Sequence, residues 1–276
     1  MKIAIIADDT CDIPQKLIEK YNIYLVHLSN ILGSTEYRGE LTGEMIYDYV
    51  ARTGNLPQTA APSSVIYKEE FEHLLKSHDA VIHFSLSSGI SSSYNNAVMA
   101  SKELENVYVV DTLSLTSGSG ILALKACEMA EAGKQPSEIV EEIEKLRDKV
   151  QASFLISKLD YLKKGGRCSS IAMFGANLLG LKILVQIQDG KMKATKKYMG
   201  KLGLALQKYL SDMVKEKPPV LDDVFIISSS DMTAETAGLL ADLKALGFKN
   251  IWEKPAGSTI CSHCGPGTLG IVYLEM

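Results

Sequence analysis

The chain has 276 residues, 46% of them hydrophobic, enough to bury one large core or two smaller ones, and two domains is the better expectation. Its 29 Lys and Arg stand against 33 Asp and Glu, a formal charge of −4, so no basic excess is present to neutralise a phosphate backbone and a nucleic-acid partner is not expected. The first apolar run breaks at Asp8 and Asp9, too short for a signal core or a membrane span, so the expected location is cytoplasmic, with no stable membrane insertion.

Residues 2–7, KIAIIA, end at Asp8, and Pro14 opens a periodic stretch, which predicts strand, turn and helix. A strand is expected at 22–28 and helices at 42–53 and 64–77. Residues 80–86 and 106–111 read as buried strands, each running into a Ser/Thr/Gly-rich loop and then a helix. Residues 115–132 and the amphipathic 135–150, with Pro136 in its first turn, predict two further helices. A strand at 152–157 follows, then a hairpin over 182–197 turning at Asp189-Gly190, a strand at 223–231, a helix at 233–247 and a last strand at 269–275. The alternation predicts an α/β chain of two α/β domains. Residues 1–155 should hold a mainly parallel sheet flanked by helices, and residues 156–276 a mixed sheet with helices.

Five cysteines (Cys11, Cys127, Cys168, Cys261, Cys264) make an odd count without disulfide-scaffold spacing, the pattern of free thiols in a reducing compartment. Residues 261–264, CSHC, bracket His263 with two of them. A structural zinc site takes four ligands, and the other cysteines lie singly and far away in sequence, so no metal is expected. A redox CxxC opens a helix, whereas Gly265 and Pro266 follow here at once, and the segment reads as a loop.

Four segments read as loops that share hydroxyl groups and backbone amides: 58–64, 85–96, 111–120 and 256–268. Beyond the carboxyl ends of parallel strands such loops hold a carboxylate or phosphate, because helix N-termini present unpaired N–H donors and a partial positive charge. Each taken singly is equally an ordinary helix cap. GISSS at 89–93 misses the serine-hydrolase elbow by one glycine, with Ser93 in its place, and no P-loop, dinucleotide fingerprint or His-Glu-x-x-His motif occurs. In LDYLKKGGRCSS (159–170) the diglycine ends a helix and puts Arg167 on a turn with its guanidinium free. Residues 171–185 are apolar beyond one helix face, as core packing or a lipid tail would require.

DDTCD (8–12), TAAPSS (59–64), SSGISSSYNNA (87–97), VVDTLSLTSG (109–118), LDYLKKGGRCS (159–169) and SHCGPGTLG (262–270) resemble, in order and spacing and over essentially the whole chain, the motifs of the DegV family. The resemblance implies a DegV-like fold with a long-chain fatty acid bound between the two domains, and no catalytic residue, metal or cofactor. It further implies a bacterial role in phospholipid metabolism as the fatty-acid-binding subunit of a fatty acid kinase, which presents the carboxylate to a separate ATP-binding partner for acyl-phosphate formation. By position it puts Thr59 and Ser91 at the carboxylate, with backbone amides near Ser92 and Ser93 assisting and His263 beside them. It puts Arg167 at the pocket mouth, toward the partner or the transferring phosphate, and makes Ile171, Phe174 and Leu178 candidates to line the acyl chain. The chain departs from the family pattern at Ala60 and Ser64, at Ser92 where glycine is usual, and at Met199 where many relatives carry an arginine, which puts the partner's identity in question. Two other readings stay open: an acyl hydrolase with Ser91 or Ser93 as nucleophile and His263 as base, and a carrier of another small carboxylate or phosphate.

Overall fold

The computed structural model describes residues 1–168 and 180–276. The chain begins with β1 (Ile3–Asp8), a short 3-10 turn, α1 (Gln15–Tyr21) and β2 (Tyr24–Val26), then β3 (Ser29–Leu32), β4 (Thr35–Arg38), α2 (Gly43–Thr53) and β5 (Gln58–Ala60). It continues through α3 (Ser64–Leu75), β6 (Ala80–Ser85), α4 (Ser93–Ser101), β7 (Val107–Asp111), α5 (Ser117–Glu131) and α6 (Pro136–Leu146). The second half contains β8 (Val150–Ile156), α7 (Asp160–Gly165), β9 (Leu181–Gln188), β10 (Lys191–Met199), α8 (Leu202–Glu216), β11 (Pro219–Ser228), α9 (Thr233–Leu246), β12 (Asn250–Pro255), α10 (Ser258–Cys264) and β13 (Leu269–Glu275).

The first sheet is parallel, in the order β2-β1-β6-β7, and the second is mixed, in the order β10-β9-β8-β13-β11-β12. The α/β class and the parallel-then-mixed arrangement agree with the sequence pattern. Both central strands of the first sheet are buried almost throughout, which is why IAIIA and AVIHF read as continuous apolar runs rather than alternating ones. α5 lies between the sheets: Ile121, Leu122 and Ala126 pack in one core with Ile5 and Ile82 of the first sheet and with Ala152, Phe225 and Val272 of the second. A helix covered on both sides carries no polar stripe, and α5 is buried at nearly every position from Ser117 to Cys127. α8 and α9 close a second core on the other face of the mixed sheet, through Tyr209, Leu239 and Leu243 against Leu184, Val224 and Ile271.

Several elements depart from the sequence pattern. The strand expected at 22–28 shrinks to β2, and a hairpin follows it. With β5, that hairpin forms a third, antiparallel sheet in the order β4-β3-β5. Strands of three and four residues carry too few alternations to be read locally. The helix expected over 135–150 stops at Leu146, and α8 and β12 were not anticipated. The expected loop at 256–268 contains α10; its glycine and proline end the helix rather than prevent it, with Gly265 at φ 68° as its cap. The Asp189-Gly190 turn of the β9–β10 hairpin matches the expectation, both residues lying at positive φ (52° and 72°) as a type I′ turn demands.

Candidate functional site

A cavity of about 660 Å³ opens beyond the carboxyl ends of β1 and β6, in the region where ligands gather on parallel sheets. Its lining combines polar residues, Thr59, Ser88, Ser91, Ser92, Asn95, Thr259, His263 and Arg167, with apolar ones, Leu28, Leu86, Ile90, Leu115, Met192 and Ile260. A narrow apolar crevice shares Leu115, Ile260 and Cys264 with this cavity and is also lined by Ala152, Phe154 and Val272 of the mixed sheet.

His263 reaches the cavity from α10. Its Nε2 lies 2.8 Å from Oγ1 of Thr59 on β5. Its Nδ1 is buried without a hydrogen-bond partner among the described residues. Burial, and then the positive charge of Arg167, push the imidazole down to about 4, so the ring is neutral at pH 7. A neutral ring carries one N–H, and the tautomer that leaves no buried donor unpaired puts that hydrogen on Nε2, donating to Thr59. The hydroxyl hydrogen of Thr59 is then left for the cavity.

Ser91 stands on the turn before α4. Its Oγ accepts the Ser93 N–H at 3.2 Å and lies 3.0 Å from the Ser93 hydroxyl. Ser93 itself is fully buried one layer behind the wall, where it contacts the Tyr67 phenol. Tyr67 in turn donates to Oδ1 of Asp8 at 2.6 Å, and Asp8 also accepts from the Ser85 hydroxyl and the Leu86 N–H. The Ser93 amide is therefore spent on Ser91, whereas Ser92 lies on the cavity wall.

Arg167 sits at the exposed rim, following the Gly166 cap of α7 (φ 69°), as the diglycine implied. Its guanidinium is tied back, Nη1 donating to the Gly165 carbonyl at 2.7 Å. Thr59, Ser91, Ser92, His263 and Arg167 are thus brought to one cavity, with Ser93 behind them. Ile171, Phe174 and Leu178 lie outside the described residues.

Contacts between distant parts of the chain join the segments around the cavity. Buried Asp12, at φ 42° in the left-handed region, accepts from the Gly257 N–H at the start of α10 (2.7 Å) and from the Thr116 hydroxyl (2.6 Å). Burial raises its carboxyl to about 6. The Ser87 hydroxyl donates to the Gly190 carbonyl at the tip of the β9–β10 hairpin (2.7 Å). Thr259 and Ile260 were not singled out in the sequence. Reading 258–264 as a helix would have exposed them, since Thr259 lies four positions before His263 on one helix face.

All five thiols are buried and reduced, and among the described residues no three His, Cys, Asp or Glu side chains gather as metal ligands would. No helix of the described residues is long and apolar enough to cross a membrane.

The fatty acid-binding protein of Thermotoga maritima is 32% identical over 281 residues, covering 98% of this chain and 96% of that protein. Among solved structures, a fatty-acid-binding DegV family protein from Thermus thermophilus superimposes with a TM-score of 0.91 at 27% identity, covering all of both chains. The Bacillus subtilis fatty acid binding protein DegV does so with a TM-score of 0.85 at 28% identity, again over all of both chains. The model of the DegV family, described as one of uncharacterised proteins, matches residues 2–276, and the chain belongs to that family.

Proposed function

We propose that this protein is a cytoplasmic carrier that binds a long-chain fatty acid in the cavity. In this reading the carboxylate meets Thr59, Ser91 and the Ser92 wall, and the tail runs along Leu115 and Ile260 between an N-terminal unit (1–155) and a C-terminal one (156–276). The observation that carries it is one cavity whose lining brings together hydroxyl groups, one of them held by a neutral histidine, and apolar side chains. The fatty-acid binding of the Thermotoga, Thermus and Bacillus relatives supports the same reading.

Burying about fifteen methylenes at ~0.8 kcal/mol each yields on the order of 12 kcal/mol before ordering costs, so the tail supplies the affinity. Neutral hydroxyls satisfy the head group without an ion pair and leave a carboxylate oxygen able to attack a phosphorus atom. The carrier therefore presents its acid to a separate ATP-binding kinase subunit, which forms the acyl-phosphate, with Arg167 at the rim beside the transferring phosphate.

A serine hydrolase fits the geometry poorly. Nε2 of His263 faces Thr59, its Nδ1 meets no carboxylate among the described residues, and a base held near 4 is weak. The test of the carrier is native mass spectrometry of purified protein, followed by solvent extraction. A released C14 to C18 acid supports the reading, whereas a short polar anion transfers it to the other carrier class. Transfer of the γ-phosphate of ATP to bound acid, on adding a kinase subunit, tests the second step.

A further inference from the structure

Asn30 lies in β3 with none of its surface exposed. All three of its side-chain hydrogen bonds go to α10. Nδ2 donates to the Ser258 hydroxyl at 3.0 Å and to Oγ1 of Thr259 at 3.1 Å, while Oδ1 accepts from the Ser262 hydroxyl at 3.1 Å. An amide N–H is a donor only. Oγ1 of Thr259 therefore accepts, and the hydroxyl hydrogen of Thr259 is not used by Asn30.

Thr259 is 6% exposed and lines the cavity. It stands one helical turn before His263, and Asn30 is the cross-strand partner of Thr59. The four residues pair twice across the junction of α10 with the small sheet. His263 on the helix supplies an N–H to Thr59 on the sheet, and Asn30 on the sheet supplies an N–H to Thr259 on the helix. In each pair the nitrogen fills a threonine oxygen and leaves one hydroxyl hydrogen for the cavity. A carboxylate has two oxygens to receive them.

We propose that Thr259 is a second hydroxyl donor to the ligand carboxylate, with Asn30 as the residue that positions it. The proposal rests on the fatty-acid reading above. It makes the head-group site a two-threonine cradle, with one threonine from each of two segments far apart in the chain, and it makes the site select an acid over an uncharged head group of the same tail.

The experiment uses the delipidated full-length protein with two probes, hexadecanoic acid and hexadecan-1-ol, titrated at pH 7.5. Thr259→Val keeps the shape and removes the hydroxyl. It is expected to weaken hexadecanoate binding about tenfold and to change hexadecanol binding less than about twofold. Thr259→Ser is expected to restore the wild-type acid-to-alcohol ratio. Because that ratio is read on one sample, a partly unfolded variant still reports it. An unchanged ratio in Thr259→Val overturns the proposal, whereas wild-type protein that binds neither probe overturns the carrier reading itself.

A double-mutant cycle tests Asn30. Asn30→Asp places an acceptor at both side-chain positions and draws the Thr259 hydrogen away from the cavity, so Thr259→Val should cost nothing further in that background. An equal tenfold loss in both backgrounds shows that Asn30 does not orient Thr259.

Discussion

Gly165 packs its backbone against the imidazole of His263 so closely that a methyl group there would sit 2.5 Å from Nδ1. The first glycine of the KKGG motif is therefore a steric requirement of the histidine, while the second caps the helix. With no side chain at Gly165, α7 can seat against α10 and hold the ring toward Thr59.

Gly165→Ala should displace the ring. We expect a loss of about 1–3 kcal/mol in stability from overpacking. Fatty-acid affinity should fall with it, because His263 no longer fills the oxygen of Thr59. Denaturant melts and ligand titration check this, and wild-type values in both would show that α7 yields without cost.

Thr59→Val and Ser91→Ala each remove a proposed donor to the carboxylate. A hydrogen bond to a charged group contributes about 1.5–3 kcal/mol, so each variant should bind hexadecanoate about ten- to a hundredfold more weakly. Neither should alter turnover of an activated ester, because no serine here is paired with a competent base. Wild-type esterase activity that Ser91→Ala abolishes would reinstate the hydrolase.

Two buried groups oppose each other in acid. Asp12 holds its proton more tightly folded than unfolded, from an ordinary 3.8 to about 6, so its contribution to stability declines as pH rises from about 4 to 6. His263 does the reverse, releasing its proton more readily when folded, from 6.5 to about 4, so stability declines as pH falls from about 6.5 to 4. Each swing is on the order of 3 kcal/mol. Asp12→Asn, which keeps an acceptor for Gly257 and tolerates the left-handed backbone, should therefore show a steeper gain in stability from pH 4 to 6.5 than wild type. His263→Gln should show a steeper loss over the same rise. Stability curves of both variants that run parallel to wild type would refute the opposition.

Gly89 meets the hairpin tip, and a Cβ there would lie 2.6 Å from the Gly190 carbonyl oxygen that also accepts from Ser87. Gly89→Ala should cost about 1–3 kcal/mol by forcing the tip away. Amide exchange at residues 189–191 should accelerate, and unchanged protection there would show that the tip accommodates the methyl group.

Much of the fold was legible because its signals are local. The buried runs of β1 and β6, the helical period of α2 and the Asp189-Gly190 turn each sit within a dozen residues, and each appears where the pattern put it. The motif order likewise pointed to the DegV family, as the match over residues 2–276 shows. Thr59, Ser91, Ser92, His263 and Arg167 were legible as motif positions. The small sheet and α10 were not, because three- and four-residue strands and a two-turn helix ending in Gly-Pro-Gly carry too little period to outweigh their turn residues.

The sequence by itself determined many of the longer strands and helices, and which segments carry hydroxyls, because both follow from neighbouring residues. Tertiary structure decided what those hydroxyls can do. Thr59 and His263 are 204 positions apart, and Asn30 and Thr259 are 229 apart. No local pattern encodes such pairs. The direction of each hydrogen bond, and with it the hydrogens left for the cavity, is fixed only when burial removes water as the alternative partner.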